Sequence, residues 1–342
     1  MINFSPGPAA LPPGVRDRIR DELDDWSGTG LPVMEQSHRA PPFMDFAEAS
    51  LERLRSLLAV PQDRSIVLVQ GGASSQFALL PMNLHDGGAP ARYATDGHWG
   101  RKALREAARG HACLGSLRAN IGEVDASYVH VTSNETIEGL QWHDPPVTDA
   151  LVVCDMSSDI AWAEVDLAPY DCIYAAAQKN LGIAGVTLLV LSPRALARSP
   201  DELPTMLNYR ALVAGASMSN TPPTFAWYVL DLVVQWIIAG GGLAAIGARN
   251  RGKADSLYGA LDASGFYRTT APADLRSAMN VTFRTPDEAT DSRLLTEAAA
   301  AGFVGLKGHK AVGGLRASLY NAIEPADVHA LVGFLQDFER RA

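Results

Sequence analysis

From about residue 15 to residue 240, short runs rich in β-branched residues alternate with longer stretches of helical spacing. Neighbouring parallel strands need a long crossover, usually a helix, so this alternation predicts an α/β fold with a mainly parallel mixed sheet flanked by helices. Strands are expected at 65–69, 91–95, 128–132, 150–155, 172–176 and 186–191. Helices are expected at 15–26, 43–58, 76–84, 100–108 and 224–239. Several of the strands end in polar or glycine-rich turns, and in such sheets ligands gather at the carboxyl ends of the strands.

After Gly240-Gly241-Gly242 the texture changes to a long helix through about residue 263, a strand at 279–283, a helix at 292–301, a strand at 315–319 and a last helix from 326. A chain of 342 residues exceeds the size at which one core keeps growing. The expected division is a large domain over 16–242 and a smaller α+β domain over 243–342, to which 1–15 add an N-terminal arm. The proline-rich opening, 6–13, is expected to form no helix and to run extended across the molecule or along a partner subunit.

A formal net charge of -9 with no basic run disfavours nucleic acid as a partner. The first residues lack the basic start and apolar centre of a signal peptide, and the apolar stretch 225–239 is short and interrupted by Asp231 and Gln235, so no membrane span is expected. Cys113, Cys154 and Cys172 have neither metal-ligand spacing nor an even disulfide count, and a reducing cytoplasm is the expected compartment.

The chemistry concentrates at the strand ends. Lys179 follows three alanines in Tyr174-Ala175-Ala176-Ala177-Gln178-Lys179-Asn180-Leu181-Gly182, just past an expected strand. A lysine held in a partly dry pocket loses the preference for its charged form and becomes a usable amine. Asp155, at the end of another strand, could be the anion that a pyridinium nitrogen needs to stay protonated, although taken alone a helix N-cap is the commoner use for such an aspartate. The two together suggest pyridoxal phosphate.

Gly71-Gly72-Ala73-Ser74-Ser75-Gln76 could present bare amides to the phosphate at a helix N-terminus, or be a plain tight turn; neither GxGxxG nor GxxxxGK[ST] spacing is present. Trp99 could stack on a flat ring or belong to the core. Thr136, after the strand 128–132, could bond the cofactor's phenolic oxygen or cap a loop. A cationic group, His38-Arg39, His309-Lys310 and Arg316, becomes a cluster only if the fold or a dimer joins the chain's ends; Arg316 suits a bidentate carboxylate clamp. No HExxH, CxxC or GxSxG pattern occurs.

These motifs, with Phe4-Ser5-Pro6-Gly7-Pro8-Ala9, Val33 to Arg39, Asn134-Glu135-Thr136-Ile137-Glu138-Gly139, Asn220-Thr221-Pro222-Pro223-Thr224-Phe225 and Lys307-Gly308-His309, run in order along the whole chain. In them the chain resembles the phosphoserine aminotransferase family of class V, fold-type I, pyridoxal-phosphate-dependent aminotransferases. The resemblance implies that Lys179 binds the cofactor covalently, Asp155 pairs with its ring nitrogen and Trp99 stacks on the ring. It implies that Ala73 and Ser74 hold the phosphate with Gln178 nearby, that Asn220 and Thr221 come from a neighbouring subunit of a homodimer, and that Thr136 sits near the phenolic oxygen.

Arg316 would take the substrate α-carboxylate, and His38, Arg39, His309 and Lys310 the distal acid. The implied reaction is reversible exchange between L-glutamate and 3-phosphohydroxypyruvate in serine biosynthesis. Three departures stand out: Lys310 where some relatives have arginine, Ser74 where some have arginine, and a short segment between Arg109 and Tyr128. Alternatives on the same fold are an aminotransferase for the phosphorylated hydroxythreonine of vitamin B6 synthesis, or a lyase or desulfurase. An idle pyridoxal-phosphate-binding protein is the alternative of a different class.

Overall fold

A computed structural model describes residues 1–122 and 125–342. The chain opens with β1 (Ile2–Asn3), followed by α1 (Pro13–Asp21) and α2 (Pro41–Leu57). Both helices start on prolines, whose missing N–H costs nothing in a first turn. This corrects two expectations: Pro13 is helical, and the first helix ends at Asp21 rather than at 26, with Trp26 in a separate short turn (Trp26–Gly28).

The alternating region follows as β2 (Ser65–Val69), α3 (Gly72–Leu84), β3 (Ala91–Ala94), α4 (His98–Ala107), β4 (Cys113–Ser116) and β5 (Tyr128–Thr132). A two-residue-armed hairpin, β6 (Asn134–Glu135) and β7 (Leu140–Gln141), precedes β8 (Leu151–Asp155), β9 (Cys172–Ala176), β10 (Thr187–Leu191), α5 (Pro193–Arg198), α6 (Tyr209–Ala214) and α7 (Thr224–Ala239). Seven strands form one sheet in the order β2-β10-β9-β8-β5-β3-β4, parallel except for β10, which runs against both its neighbours.

The edge strand β4 is absent from the sequence expectation because Cys-Leu-Gly-Ser, with glycine inside it, carries little strand signal. It lies in the short segment between Arg109 and Tyr128, of which residues 123 and 124 fall outside the described residues.

One face of the sheet packs on α2 and α7, where Trp227 meets Phe43 edge-on at 6.0 Å. The polar residues of α7 are accounted for there: Arg53 of α2 donates twice to buried Asp231, at 2.8 Å each, and Gln235 donates to the same carboxylate at 2.6 Å. Among the described residues no single helix is long and apolar enough to cross a membrane.

Past an 84° bend come α8 (Gly242–Ala263), β11 (Arg268–Thr269), β12 (Asn280–Arg284), α9 (Glu288–Ala300), β13 (Phe303–Val304), β14 (Leu315–Ser318) and α10 (Pro325–Arg341). β11, β12 and β14 make an antiparallel sheet, and β1 pairs in parallel with β13, joining the start of the chain to this region. α8 serves two cores: Leu243 and Ile246 pack with the large sheet, whereas Leu257 and Leu261 pack with Phe283, Leu331 and Phe338. Buried Lys253 of α8 donates to the carbonyls of Leu319, Tyr320 and Ile323 at 2.8–2.9 Å, fixing the turn after β14.

Candidate active site

Because β2, β3, β5, β8 and β9 point the same way, their carboxyl ends share one edge of the sheet, and a cavity of about 490 Å³ lies there. Asp155 ends β8 and is buried, with one carboxylate oxygen accepting the Ser157 N–H at 2.9 Å. That bond makes a turn and not a helix cap, for no helix follows. Burial pushes the Asp155 carboxyl up from the usual range, while the Lys179 charge opposes the shift. Lys179 stands in the turn after β9, half-buried, with Nζ 5.8 Å from the centre of the Trp99 ring. Burial pushes its amine down, opposed first by Asp155 and then by Asp159, and reinforced by Arg316.

The opening arm closes the other side. Ala9 N–H donates to the Gln178 carbonyl at 2.9 Å, and a Cβ on Gly7 would sit 3.5 Å from Lys179 Cγ. Pro6, Gly7 and Pro8 line the cavity, so the arm runs across its own chain's site.

The glycine loop is both a tight turn and the start of α3. Gly71 and Gly72 have φ of 99° and 67°, a left-handed backbone that glycine adopts without strain, and a Cβ on Gly71 would lie 2.2 Å from Ser75 Oγ. Ala73 and Ser74, in the first turn of the helix, line the cavity, where free amides and the helix dipole favour an anion.

Trp99, in the first turn of α4, and Thr136, after β6, also line the cavity, as do Gln178, His309 and Arg316. Arg316 is 5% exposed, and burial lowers its pKa. His309 has its ring 5.1 Å from that of His98, whose pKa is lowered by burial and then by His309.

The remaining expected residues lie elsewhere in this chain. His38 and Arg39 occupy the turn before α2, where Arg39 Nε donates to His38 Nε2 at 3.3 Å. Lys310 is exposed and off the cavity wall. Asn220 and Thr221 are exposed, and the Thr221 carbonyl accepts from Gln70 Nε2 at 2.9 Å, outside the glycine loop.

Residues that sequence reasoning missed include Gly7, whose signal was its place between two prolines, and Glu135, hidden inside a motif read only for its threonine. His98, beside Trp99, was passed over for want of any spacing that marks it.

The cavity's chemistry fits pyridoxal phosphate. Four buried polar atoms on its wall have no protein partner: Trp99 Nε1, Thr132 Oγ1, Thr136 Oγ1 and Arg316 Nε. They surround a lysine amine and a buried carboxylate, with a helix N-terminus at one end.

Comparison with known proteins agrees. The family described as aminotransferase class-V matches residues 1–331. A phosphoserine aminotransferase of Geobacillus kaustophilus is 46% identical over 353 residues, covering 99% of this chain and 98% of the relative. The solved phosphoserine aminotransferase from Bacillus circulans subsp. alkalophilus superposes with a TM-score of 0.95 at 41% identity, over 99% of this chain and 98% of that one. A PLP-bound phosphoserine aminotransferase from Trichomonas vaginalis gives a TM-score of 0.92 at 34% identity, over 97% and 99%. With its lysine, carboxylate and glycine loop on one sheet edge and this likeness over its whole length, the chain belongs to the class-V aminotransferases, and within them to the phosphoserine aminotransferase family.

Proposed function

We propose that this chain moves the amino group of L-glutamate to 3-phosphohydroxypyruvate, giving 2-oxoglutarate and O-phospho-L-serine, with pyridoxal 5'-phosphate as cofactor. The observation that carries the proposal is half-buried Lys179 and buried Asp155 on one cavity with a helix N-terminus, in a chain of this family. Pyridoxal phosphate supplies an aldehyde to take up an amino group and an electron-poor ring to spread negative charge. Lys179 would hold it covalently, Asp155 would pair with its ring nitrogen, and Trp99 would cover one ring face. The amides of Ala73 and Ser74, with Gln178 beside them, would take the phosphate, and Thr136 would donate to the phenolic oxygen.

Lys179 would also be the base for the substrate's Cα proton. Burial lowers its pKa and so favours the neutral amine that this task requires. Arg316 clamps the α-carboxylate, and its buried fork fits two parallel bonds.

The distal acid, a carboxylate in one half-reaction and a phosphate in the other, falls to His309 and Lys310 of one chain and His38 and Arg39 of a second. Asn220 and Thr221 of that second chain complete the cofactor's phosphate site. The working unit is therefore a homodimer with shared sites, each chain divided near Gly240–Gly242 into a large domain and a smaller one. Three thiols without disulfides suit a reducing cytoplasm. A desulfurase reading finds no support: Cys154 and Cys172 are buried in strands with thiols pushed far up by burial, and Cys113 is pushed up to about 11.

An absorbance titration tests the proposal. Glutamate should remove the band of the lysine-bound cofactor, and 3-phosphohydroxypyruvate should restore it where unphosphorylated hydroxypyruvate does not. Restoration by either acid would discard phosphate selectivity, and no response to glutamate would discard transamination.

A further inference from the structure

α4 begins without a cap of its own. Its N-cap is Gly97, which has no side chain to satisfy the amides of the first turn. The missing acceptors come from Glu135, far away in sequence: its two carboxylate oxygens accept the N–H groups of Trp99 and Gly100, each at 2.8 Å. The fit is close. A Cβ on Gly97 would lie 2.0 Å from Glu135 Cδ, and one on Gly100 would lie 2.0 Å from the Ala94 carbonyl oxygen.

Glu135 is 2% exposed, and among the described residues no basic side chain forms an ion pair with it; nearby Arg101 pairs with Glu138 instead. The carboxylate's partners are thus the two amides and the positive end of α4.

The hairpin that carries Glu135 is itself anchored. Asn134 Nδ2 donates to Ser158 Oγ at 2.8 Å and to Asn280 Oδ1 at 2.7 Å. Alternation along the strand turns Asn134 and Thr136 toward the cavity and Glu135 toward α4. One rigid segment therefore references both Thr136 and, through α4, the Trp99 ring.

We propose that Glu135 is a positioning residue: capping α4 from outside, it sets where the Trp99 indole lies over the cavity and hence its stacking on the cofactor ring. The role rests on the proposed stacking of Trp99.

The test uses Glu135→Gln, which keeps the shape and leaves one of the two amides facing an N–H instead of an acceptor. Glu135→Asp, one methylene short of both amides, serves as a second variant. In the cofactor-free protein, hydrogen exchange should speed up by about tenfold, the scale of one lost hydrogen bond, at one of the Trp99 and Gly100 amides in Glu135→Gln and at both in Glu135→Asp. In the loaded protein, the covalent cofactor's absorbance should persist while its induced circular dichroism falls by about half or more. kcat should drop about tenfold with KM for glutamate within about twofold of the parent, because Arg316 is untouched.

The dichroism losses of Glu135→Gln and Trp99→Phe should not add in the double variant, since one acts through the other. Parent-like amide exchange in both Glu135 variants, or fully additive losses, would overturn the proposal. Unchanged dichroism in Trp99→Phe alone would instead overturn the stacking role of Trp99, a failure that the cofactor-free exchange measurement keeps separate from that of the cap.

Discussion

The two halves of the candidate site are built differently. The cofactor half, Asp155, Lys179, Trp99 and the glycine loop, stands at the ends of parallel strands and is assembled within one chain, its carboxylate buried in the sheet edge. Of the cationic half, only His309 and Arg316 reach the cavity; His38, Arg39 and Lys310 lie off its wall. Strands fix side chains by register, so the groups at their ends take their places once the sheet forms, before a second chain adds to the phosphate site. Cations on turns are fixed only by what later packs against them. The first half should therefore fail in the chemical step when altered, and the second in recognition.

The largest effect belongs to Lys179→Ala. By its proposed roles it removes both the covalent attachment and the base, and should cut kcat by about a thousandfold or more while abolishing the absorbance of the bound cofactor. Turnover near that of the parent would break the distinction at its strongest point.

Next comes a cost that only the buried half carries. Asp159, joined to the Asp155 carbonyl through the Ser133 hydroxyl, accepts from Ser133 Oγ and from Gln141 Nε2, and burial pushes its carboxyl up to about 7. A carboxyl raised on folding contributes stability that is fully present below its unfolded value near 4 and is lost as pH rises through its folded value near 7. Stability in urea should therefore fall between pH 4 and 7 by about 2–4 kcal/mol more in the parent than in Asp159→Asn. Equal slopes for the two proteins would show that the buried half has no such cost.

The same contrast governs what could be read from the sequence. α7, Thr224–Ala239, has the expected bounds because its apolar run is long and Gly240-Gly241-Gly242 ends it. β2, β5 and β9 also match, since β-branched and apolar residues fill them. The hairpin β6–β7 was invisible, for two residues per arm carry no period, and with it went Glu135, whose partners lie in α4.

Lys179, Asp155 and Ala73 were legible because each sits next to a strand or helix boundary that the pattern marks. The placement of Arg39 was not, since turn residues have no periodic neighbours. Nothing in a single chain's pattern says which copy a turn will serve.

Arg39→Ala should have the smallest effect and the sharpest meaning. Losing one charged hydrogen-bond donor to the distal acid should raise KM for both glutamate and the phosphorylated keto acid by about tenfold, with kcat and cofactor content near the parent's. Mixing this variant with Lys179→Ala then decides which chain Arg39 serves. If it acts in the partner's site, each hybrid dimer has one site with both defects and one with neither. A fully exchanged equal mixture should then carry about one quarter of the parent's intact sites, since about half its dimers are hybrids. If Arg39 acts in its own chain's site, no hybrid contains an intact site, and mixing restores nothing. Recovery of low-KM activity would make the cationic half a product of assembly, and its absence would return Arg39 to its own chain.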